Sequence, residues 1–225
     1  RPDAARERRR VHGVKPPATS SSVAQVLAAR AGALRVEDIP APVRDRCRDL
    51  LVDVAGLCVA ARNSDYVAAL KRSFDGGGPC SALGHAEGWS PEDAALLNGT
   101  AAHGEDFDDT FEGGPVHSGA VVVPAVLAAC ERFERDGSDA LLGIAAGVEA
   151  MCRLSLVAPK RIHQAGFHPT AVLGAMAAAL GVAKSLRLDD KQTVDALGIA
   201  GMIKASMGRA QAARDAGSAP GESQS

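Results

Sequence analysis

The chemically richest part of this 225-residue chain is the thirteen-residue segment that ends at Thr110, which contains one histidine and four carboxylates. If a helix runs through this segment, His103, Asp106 and Thr110 stand at positions i, i+3 and i+7 and share one face. Asp108 and Asp109 then point elsewhere. Aspartate is a poor helix former, and carboxylates near a helix C-terminus oppose the helix dipole. A local conflict of this kind is typical of a functional site.

Two further histidines are predicted at helix entrances. His117 follows a glycine-rich loop and precedes an apolar helix, and His168 precedes an alanine-rich helix whose first N–H groups can receive an anion. Two imidazoles and the Asp106 carboxylate can act as general acids and bases in proton transfer on a carboxylated substrate.

A metal centre is the alternative chemistry for these side chains. Its ligands would be Asp106, Asp109, His117 and His168. The sequence contains no His-x-x-x-His or His-Glu-x-x-His pair to support such a site, so we expect no metal and no cofactor. For any single histidine the structural alternative is a capping or buried, hydrogen-bonded imidazole. We expect His12 and His85 to be structural or surface residues, and His163 stays unassigned.

The elements that must position these side chains are mostly helical, because apolar residues recur every three to four positions. Pro40 opens a helix that we expect to end at Ala60 or Ala61. Ser90 is a predicted N-cap, and Pro91 then occupies the first position of the helix that leads into the acidic segment.

Later segments repeat the helical pattern, and only residues 80–84 read as a short extended piece, which we expect to turn at Gly88. The later predicted helices cover residues 121–134, 140–156, 170–186 and 191–203. Asp189 and Gln192 form a predicted capping box before the last of them. Alanine and glycine dominate these helices, and small side chains let helix axes approach closely. The sequence therefore predicts an all-α, compact helical bundle.

Composition excludes several classes of function. Aromatic residues make up 3% of the chain and the net charge is −2, which argues against a nucleic-acid partner. The sequence lacks the Gly-x-Ser-x-Gly, P-loop and strand-anchored Rossmann motifs. The longest apolar run, residues 171–183, is too short to cross a membrane. Five cysteines without a Cys-x-x-Cys pair predict free thiols in a reducing compartment, and we expect a cytoplasmic protein.

The two ends of the chain differ from its middle. Residues 1–20 hold six basic and two acidic residues, a net charge of +4, and prolines interrupt any amphipathic pattern there. We therefore predict a disordered basic extension over residues 1–21, a helical domain over 22–208 and a polar, disordered tail over 209–225.

The site segments together resemble the MmgE/PrpD family, which includes 2-methylcitrate dehydratase and cis-aconitate decarboxylase. The resemblance rests on the string Asn-Gly-x-x-x-His-x-x-Asp-Phe-Asp-Asp-Thr at 98–110, on His117-Ser118 and on Gly-Phe-His-Pro-Thr at 166–170. Residues 50–56 and 196–201 support it, and it covers about residues 22–206.

This resemblance implies the N-terminal helical domain of a two-domain, homodimeric, cofactor-free lyase that acts on small di- or tricarboxylates, with 2-methylcitrate dehydration in propionate metabolism as the leading expectation. Asp106, Thr110, His117 and His168 match active-site positions of the family, and His103 matches its motif. We assign His168 or Asp106 as the base, His117 as the acid, and Thr110 and His103 to substrate binding.

Departures from the family pattern keep other functions open. Family members are roughly twice as long, and their site also uses a lysine-containing segment and a smaller α/β domain. Here Lys204 precedes the expected lysine position, and Arg209 is the nearby cation that could substitute. The chain therefore reads as a truncated member. An inactive helical dimerisation module, or an isomerase or epimerase of a dicarboxylate, is the alternative.

Overall fold

A computed structural model describes residues 21–202 of the chain, and the predictions for residues 1–20 and 209–225 lie outside that part. The fold is all-α apart from one small hairpin, which confirms the predicted class. In chain order the elements are α1 (Val23–Ala33), a 3₁₀ turn (Val36–Asp38), α2 (Ala41–Ala61), α3 (Asp65–Lys71), β1 (Cys80–Ser81), β2 (Gly88–Trp89), α4 (Pro91–His103), α5 (Gly119–Arg132), α6 (Gly137–Ser155), α7 (Arg161–Gln164) and α8 (Pro169–Ser185). A further helix, α9, covers residues 190–202.

The helix starts follow the capping signals of the sequence. The Ser90 hydroxyl accepts a hydrogen bond from the Asp93 backbone N–H at 3.1 Å, so α4 begins at Pro91 as predicted. Helix α2 ends at Ala61, also as predicted. The capping box before α9 is present, because the Gln192 N–H donates to Asp189 and the Asp189 N–H donates to Gln192.

The short extended piece is only partly as predicted. Cys80 and Ser81 form β1, which pairs in antiparallel fashion with β2, and the partners are Cys80 with Trp89 and Ser81 with Gly88. Gly88 therefore lies inside a strand, and the chain turns before it. The position of Gly88 depends on a close approach to Gly78 that the sequence does not reveal. A side chain at Gly88 would collide with the Gly78 carbonyl.

Helix α5 occupies the centre of the bundle and packs against α4, α6 and α8. Its valines Val122, Val123 and Val126 are fully buried in the main core. Helices α6 and α8 approach most closely where two glycines meet. A Cβ added at Gly143 would lie 2.7 Å from the Gly181 carbonyl oxygen, and one added at Gly181 would lie 2.9 Å from the Gly143 carbonyl oxygen. The prediction that small residues permit close helix packing is thus confirmed.

Helix α4 contacts α5 through a similar close approach. A Cβ at Gly99 would lie 3.0 Å from the Ala120 carbonyl oxygen of α5. Pro124, one turn later in α5, has no N–H to donate to that carbonyl. The contact fixes α4 against α5 near the two helix ends that hold the predicted site.

The cysteines are free thiols, and burial raises the pKa of Cys58 and of Cys152 to about 11. Both thiols are therefore protonated near neutral pH and are weak nucleophiles. Between residues 21 and 202, no helix combines the length and the hydropathy that crossing a bilayer would require.

Candidate active site

Three histidines lie together because each stands at the end of a different helix. His103 is the last residue of α4, His117 precedes the N-cap residue of α5, and His168 is the N-cap residue of α8. The ring centroids are 5.0 Å apart for His103 and His117, 5.8 Å for His103 and His168, and 5.9 Å for His117 and His168. The structure thus brings together the three imidazoles that the sequence singled out.

The helical face that was predicted to join His103, Asp106 and Thr110 does not exist. Helix α4 stops at His103, and the Asp106 N–H donates to the His103 carbonyl oxygen at 3.0 Å, which closes a turn. Asp106 adopts a left-handed backbone with φ of 56°. Ending the helix removes the conflict between its dipole and the acidic residues that follow.

Asp108 lies inside the site, whereas the helical reading pointed it elsewhere. Its side chain has 0% exposure. Both carboxylate oxygens lie 3.0 Å from Nδ1 of His103, and Oδ1 also lies 3.4 Å from Nδ1 of His117. This residue was missed because its position depends on the turn at Asp106, for which the sequence carries no clear signal.

Asp106 and Thr110 reach the site through His117 instead of through a shared helix. Asp106 Oδ1 lies 3.7 Å from His117 Nε2, and Thr110 Oγ1 lies 3.5 Å from His117 Nδ1. The His117 side chain is 13% exposed, whereas the Asp106 side chain is 77% exposed. His117 is therefore the central imidazole of the site, with Asp106 on its open side.

Asp109 holds the start of α5 and does not face the imidazoles. One of its oxygens accepts the Gly119 N–H at 2.7 Å, and the other accepts both the N–H and the hydroxyl of Ser118 at 3.1 and 2.7 Å. A carboxylate at a helix N-terminus has the favourable sign for the dipole. Asp109 thereby anchors the residue that follows His117, and its inclusion in a metal set was wrong.

A second anchor joins His117 to α8. The His117 backbone N–H donates to Thr170 Oγ1 at 3.0 Å, and Thr170 is buried in the first turn of α8. The same turn begins at His168. This hydrogen bond, from the backbone of His117 to the side chain of Thr170, therefore ties together the segments that carry two of the three histidines.

The surroundings of His168 favour its neutral form. Partial burial lowers the pKa of His168, and the imidazoles of His103, His117 and His163 lower it further. The His163 ring centroid is 6.1 Å from that of His168, so the residue left unassigned by the sequence borders the site. A neutral imidazole at physiological pH has a free lone pair and can accept a proton.

The site borders an open cavity at one of its histidines, and its donor set is one that a metal would also accept. An open cavity of about 470 Å³ lies between α4 and α5 and reaches His103. Ligand atoms of His103, Asp106, Asp108 and His117 all lie within 4.8 Å of one another, which is the donor type of a divalent cation site. The distances of 3.0 and 3.4 Å to Asp108 are also those of imidazole–carboxylate contacts, which need no ion.

Comparison with known proteins identifies the family of this chain. A family model described as the MmgE/PrpD N-terminal domain matches residues 25–223. Cis-aconitate decarboxylase from Aspergillus terreus is 34% identical over 177 residues, which cover 74% of this chain and 36% of that protein. Cis-aconitate decarboxylase-like protein oryM from Aspergillus oryzae is 31% identical over 178 residues, which cover 74% of this chain and 37% of that protein.

The human cis-aconitate decarboxylase is 38% identical over 120 residues, which cover 49% of this chain and 24% of that protein. The matched region of this chain thus spans about a third of the length of its fungal relatives. The aligned part is in each case the minor share of the relative. The family model covers most of this chain, and the chain therefore belongs to the MmgE/PrpD family, of which it represents the N-terminal helical domain.

Proposed function

We propose that this chain supplies the proton-transfer groups of a cofactor-independent lyase that acts on a small di- or tricarboxylate. The observation that carries the proposal is the meeting of three imidazoles, with centroids 5.0 to 5.9 Å apart, beside the carboxylates of Asp106 and Asp108. Such a cluster can hold one proton donor and one proton acceptor at the same time. The relatives' names favour cis-aconitate as the first substrate to test, and 2-methylcitrate is the second.

The two reactions share the need for a proton donor, and dehydration also needs a base. In decarboxylation, the bond to one carboxylate breaks, carbon dioxide leaves, the electron pair shifts across the adjacent double bond, and an acid protonates the far carbon. In dehydration, a base takes a proton from the carbon beside a carboxylate, and an acid protonates the departing hydroxyl to give water. We assign His117 as the acid, acting in its doubly protonated form, because the Asp106 carboxylate lies 3.7 Å from Nε2 and favours a hydrogen on that atom.

His168 is the proposed base, because its lowered pKa keeps it neutral. Thr110 and His103 lie beside the His117 ring, and we propose that they contribute to substrate binding. The proposal includes a homodimer in the cytoplasm and a role in carboxylate metabolism such as that of propionate. Free buried thiols support the reducing compartment.

One observation favours a second candidate, a helical module without turnover. Within residues 21–202, no lysine or arginine donates a hydrogen bond to His103, His117, His168 or their carboxylate partners. Lysine and arginine form the strongest hydrogen bonds to carboxylates, so a site without them holds a tricarboxylate less tightly. Lys204 and Arg209 lie outside the described residues.

The test incubates the purified 225-residue chain with cis-aconitate, and separately with 2-methylcitrate, in D₂O. We expect proton NMR to show a decarboxylated or dehydrated product, and a decarboxylated product carries one deuterium at the protonated carbon. His168→Gln abolishes product formation, whereas His85→Gln, at a histidine that contacts Lys71 and not the site, leaves it unchanged. Absence of product from both substrates, with unchanged imidazole shifts at saturating ligand, refutes the proposal and selects the module. Size-exclusion chromatography with light scattering on the same sample tests the dimer.

A further inference from the structure

One buried carboxylate contacts two of the three site imidazoles through the same ring atom. Nδ1 of His103 lies 3.0 Å from both oxygens of Asp108, and Nδ1 of His117 lies 3.4 Å from Oδ1. The Asp108 side chain has 0% exposure, so solvent does not compete for these contacts.

Burial makes the direction of the hydrogen bond between His103 and Asp108 definite, and it favours a hydrogen on the His117 atom that faces the same carboxylate. An ionised carboxylate accepts hydrogen bonds and cannot donate them, and leaving it buried without donors costs several kcal/mol. Among residues 21–202, the two imidazoles are the groups placed to donate to Asp108. Nδ1 of His103 must then carry a hydrogen, and Nδ1 of His117, at 3.4 Å from Oδ1, avoids facing it with a bare lone pair only if it carries one too. Each neutral ring then has a bare Nε2.

We propose that Asp108 is a positioning residue that holds His103 and His117 in the Nδ1–H tautomer and leaves both Nε2 atoms free to exchange protons with substrate. The catalytic meaning of this inference rests on the proposed function, but the predicted tautomers of His103 and His117 do not. The His117 Nε2 lies on the open side of the ring, 3.7 Å from the exposed Asp106. The Nε2 atom, and not Nδ1, is therefore the one that a ligand can reach.

The backbone explains how one residue serves two helices. The left-handed Asp106 reverses the chain directly after α4, which returns Asp108 beneath His103. Asp109 then anchors the start of α5, so that His117 is held over the same carboxylate. Thr110 Oγ1, at 3.5 Å from His117 Nδ1, is a weaker second acceptor for the same hydrogen.

The primary test is the tautomeric state of the unaltered chain, measured from long-range ¹H–¹⁵N correlations of the imidazole rings above neutral pH. We expect both His103 and His117 as Nδ1–H tautomers. Finding either ring mainly as the Nε2–H tautomer overturns the inference, whatever the activity. Metal-shifted nitrogen signals that disappear on chelation overturn it as well, since the same atoms would then be ligands.

The variant test compares Asp108→Asn with Glu105→Gln. Both remove one negative charge from the same turn, but Glu105 contacts the Tyr66 hydroxyl and no imidazole. Asp108→Asn shifts at least one ring to the Nε2–H tautomer and lowers kcat by about 10²-fold or more with little change in KM, by analogy with carboxylates that orient catalytic histidines. Glu105→Gln changes neither readout, and equal effects of the two variants refute the inference.

The failures of the two proposals are distinguishable. If the unaltered chain shows the expected tautomers but turns over no carboxylate, the proposed function is wrong and the positioning role of Asp108 stands. If the chain is active but its rings are Nε2–H tautomers, the proposed function stands and the positioning role of Asp108 is wrong. Because the primary test uses the unaltered chain, it remains decisive even if Asp108→Asn does not fold.

Discussion

The close contact between α6 and α8 makes Gly143→Ala a sharp test of the packing. The new Cβ would lie 2.7 Å from the Gly181 carbonyl oxygen, 3.0 Å from the Ser185 Cβ and 3.1 Å from a Val126 methyl group. The nearest of these atoms belongs to the backbone of a buried helix, so it cannot move aside by rotating a side chain.

The magnitude follows from that overlap. Ordinary van der Waals contact for a Cβ begins near 3.4 Å, so the two helices must separate locally by several tenths of an ångström. Forcing extra atoms into a packed core costs about 1–3 kcal/mol. The higher helix propensity of alanine offsets this cost by up to about 1 kcal/mol. Because the overlap is with backbone atoms, we take the upper part of that range, about 2–3 kcal/mol, which leaves a net loss of about 1–2 kcal/mol. For a chain of this size, we expect this loss to lower Tm by roughly 2–8 °C.

The assay is thermal and urea unfolding followed by circular dichroism, with Gly56→Ala as the matched control. Gly56 lies in the middle of α2, is exposed, and has no atom within 4 Å of the added Cβ. That variant should raise the free energy of unfolding by about 0.4–1 kcal/mol. If Gly143→Ala is as stable as the unaltered chain, or is stabilised like Gly56→Ala, the described helix contact is wrong.

Three further predictions concern the site. Asp109→Ala removes three hydrogen bonds at the start of α5 and should lower the free energy of unfolding, measured by urea unfolding, by about 2 kcal/mol. Asp109→Asn should retain part of the stability that these hydrogen bonds provide. Because the folded state lowers the pKa of His168 from 6.5, unfolding becomes easier as pH falls below about 6.5. His163→Gln should raise the pKa of His168 in an NMR titration, because it removes one of the side chains that lower it. Chelation with EDTA should leave the imidazole shifts of His103 and His117 unchanged, because the Asp108 contacts need no ion.

Each of these predictions has a contrary outcome. If Asp109→Ala changes the free energy of unfolding by less than about 0.5 kcal/mol, the size of an ordinary surface effect, Asp109 does not anchor the helix. If His163→Gln leaves the pKa of His168 unchanged, His163 does not influence the protonation of His168. Imidazole shifts that change on chelation would establish a metal centre.

Helix boundaries were predictable where a single residue type fixes the local backbone. Ser90 and Pro91 set the start of α4, and the capping box at Asp189 and Gln192 sets the start of α9. These signals act within one turn of the chain, so they do not depend on tertiary contacts. The close helix packing was also predictable in kind, because alanine and glycine have little or no side chain to separate two axes.

The chain between the helices was not predictable by the same means. The stop of α4 at His103 and the left-handed Asp106 decide which carboxylates face the imidazoles. Helical periodicity placed Asp106 on the same face as His103 and pointed Asp108 in another direction. In the folded chain, however, Asp108 is buried against the rings of His103 and His117. Residue types identified the site, but the turn that arranges it depends on α5 and α8, which approach from distant parts of the sequence.

The location of three histidines at the ends of three helices has a consequence for how activity is lost. Helix ends open by local fluctuations that cost far less than global unfolding, whereas the valines in the middle of α5 are exposed only when the whole core opens. Backbone amides around His117 and His168 therefore exchange with solvent faster than those around Val123. We therefore expect mild heat or denaturant to separate the three imidazoles while the bundle remains folded, so that any activity of the site is lost before the fold.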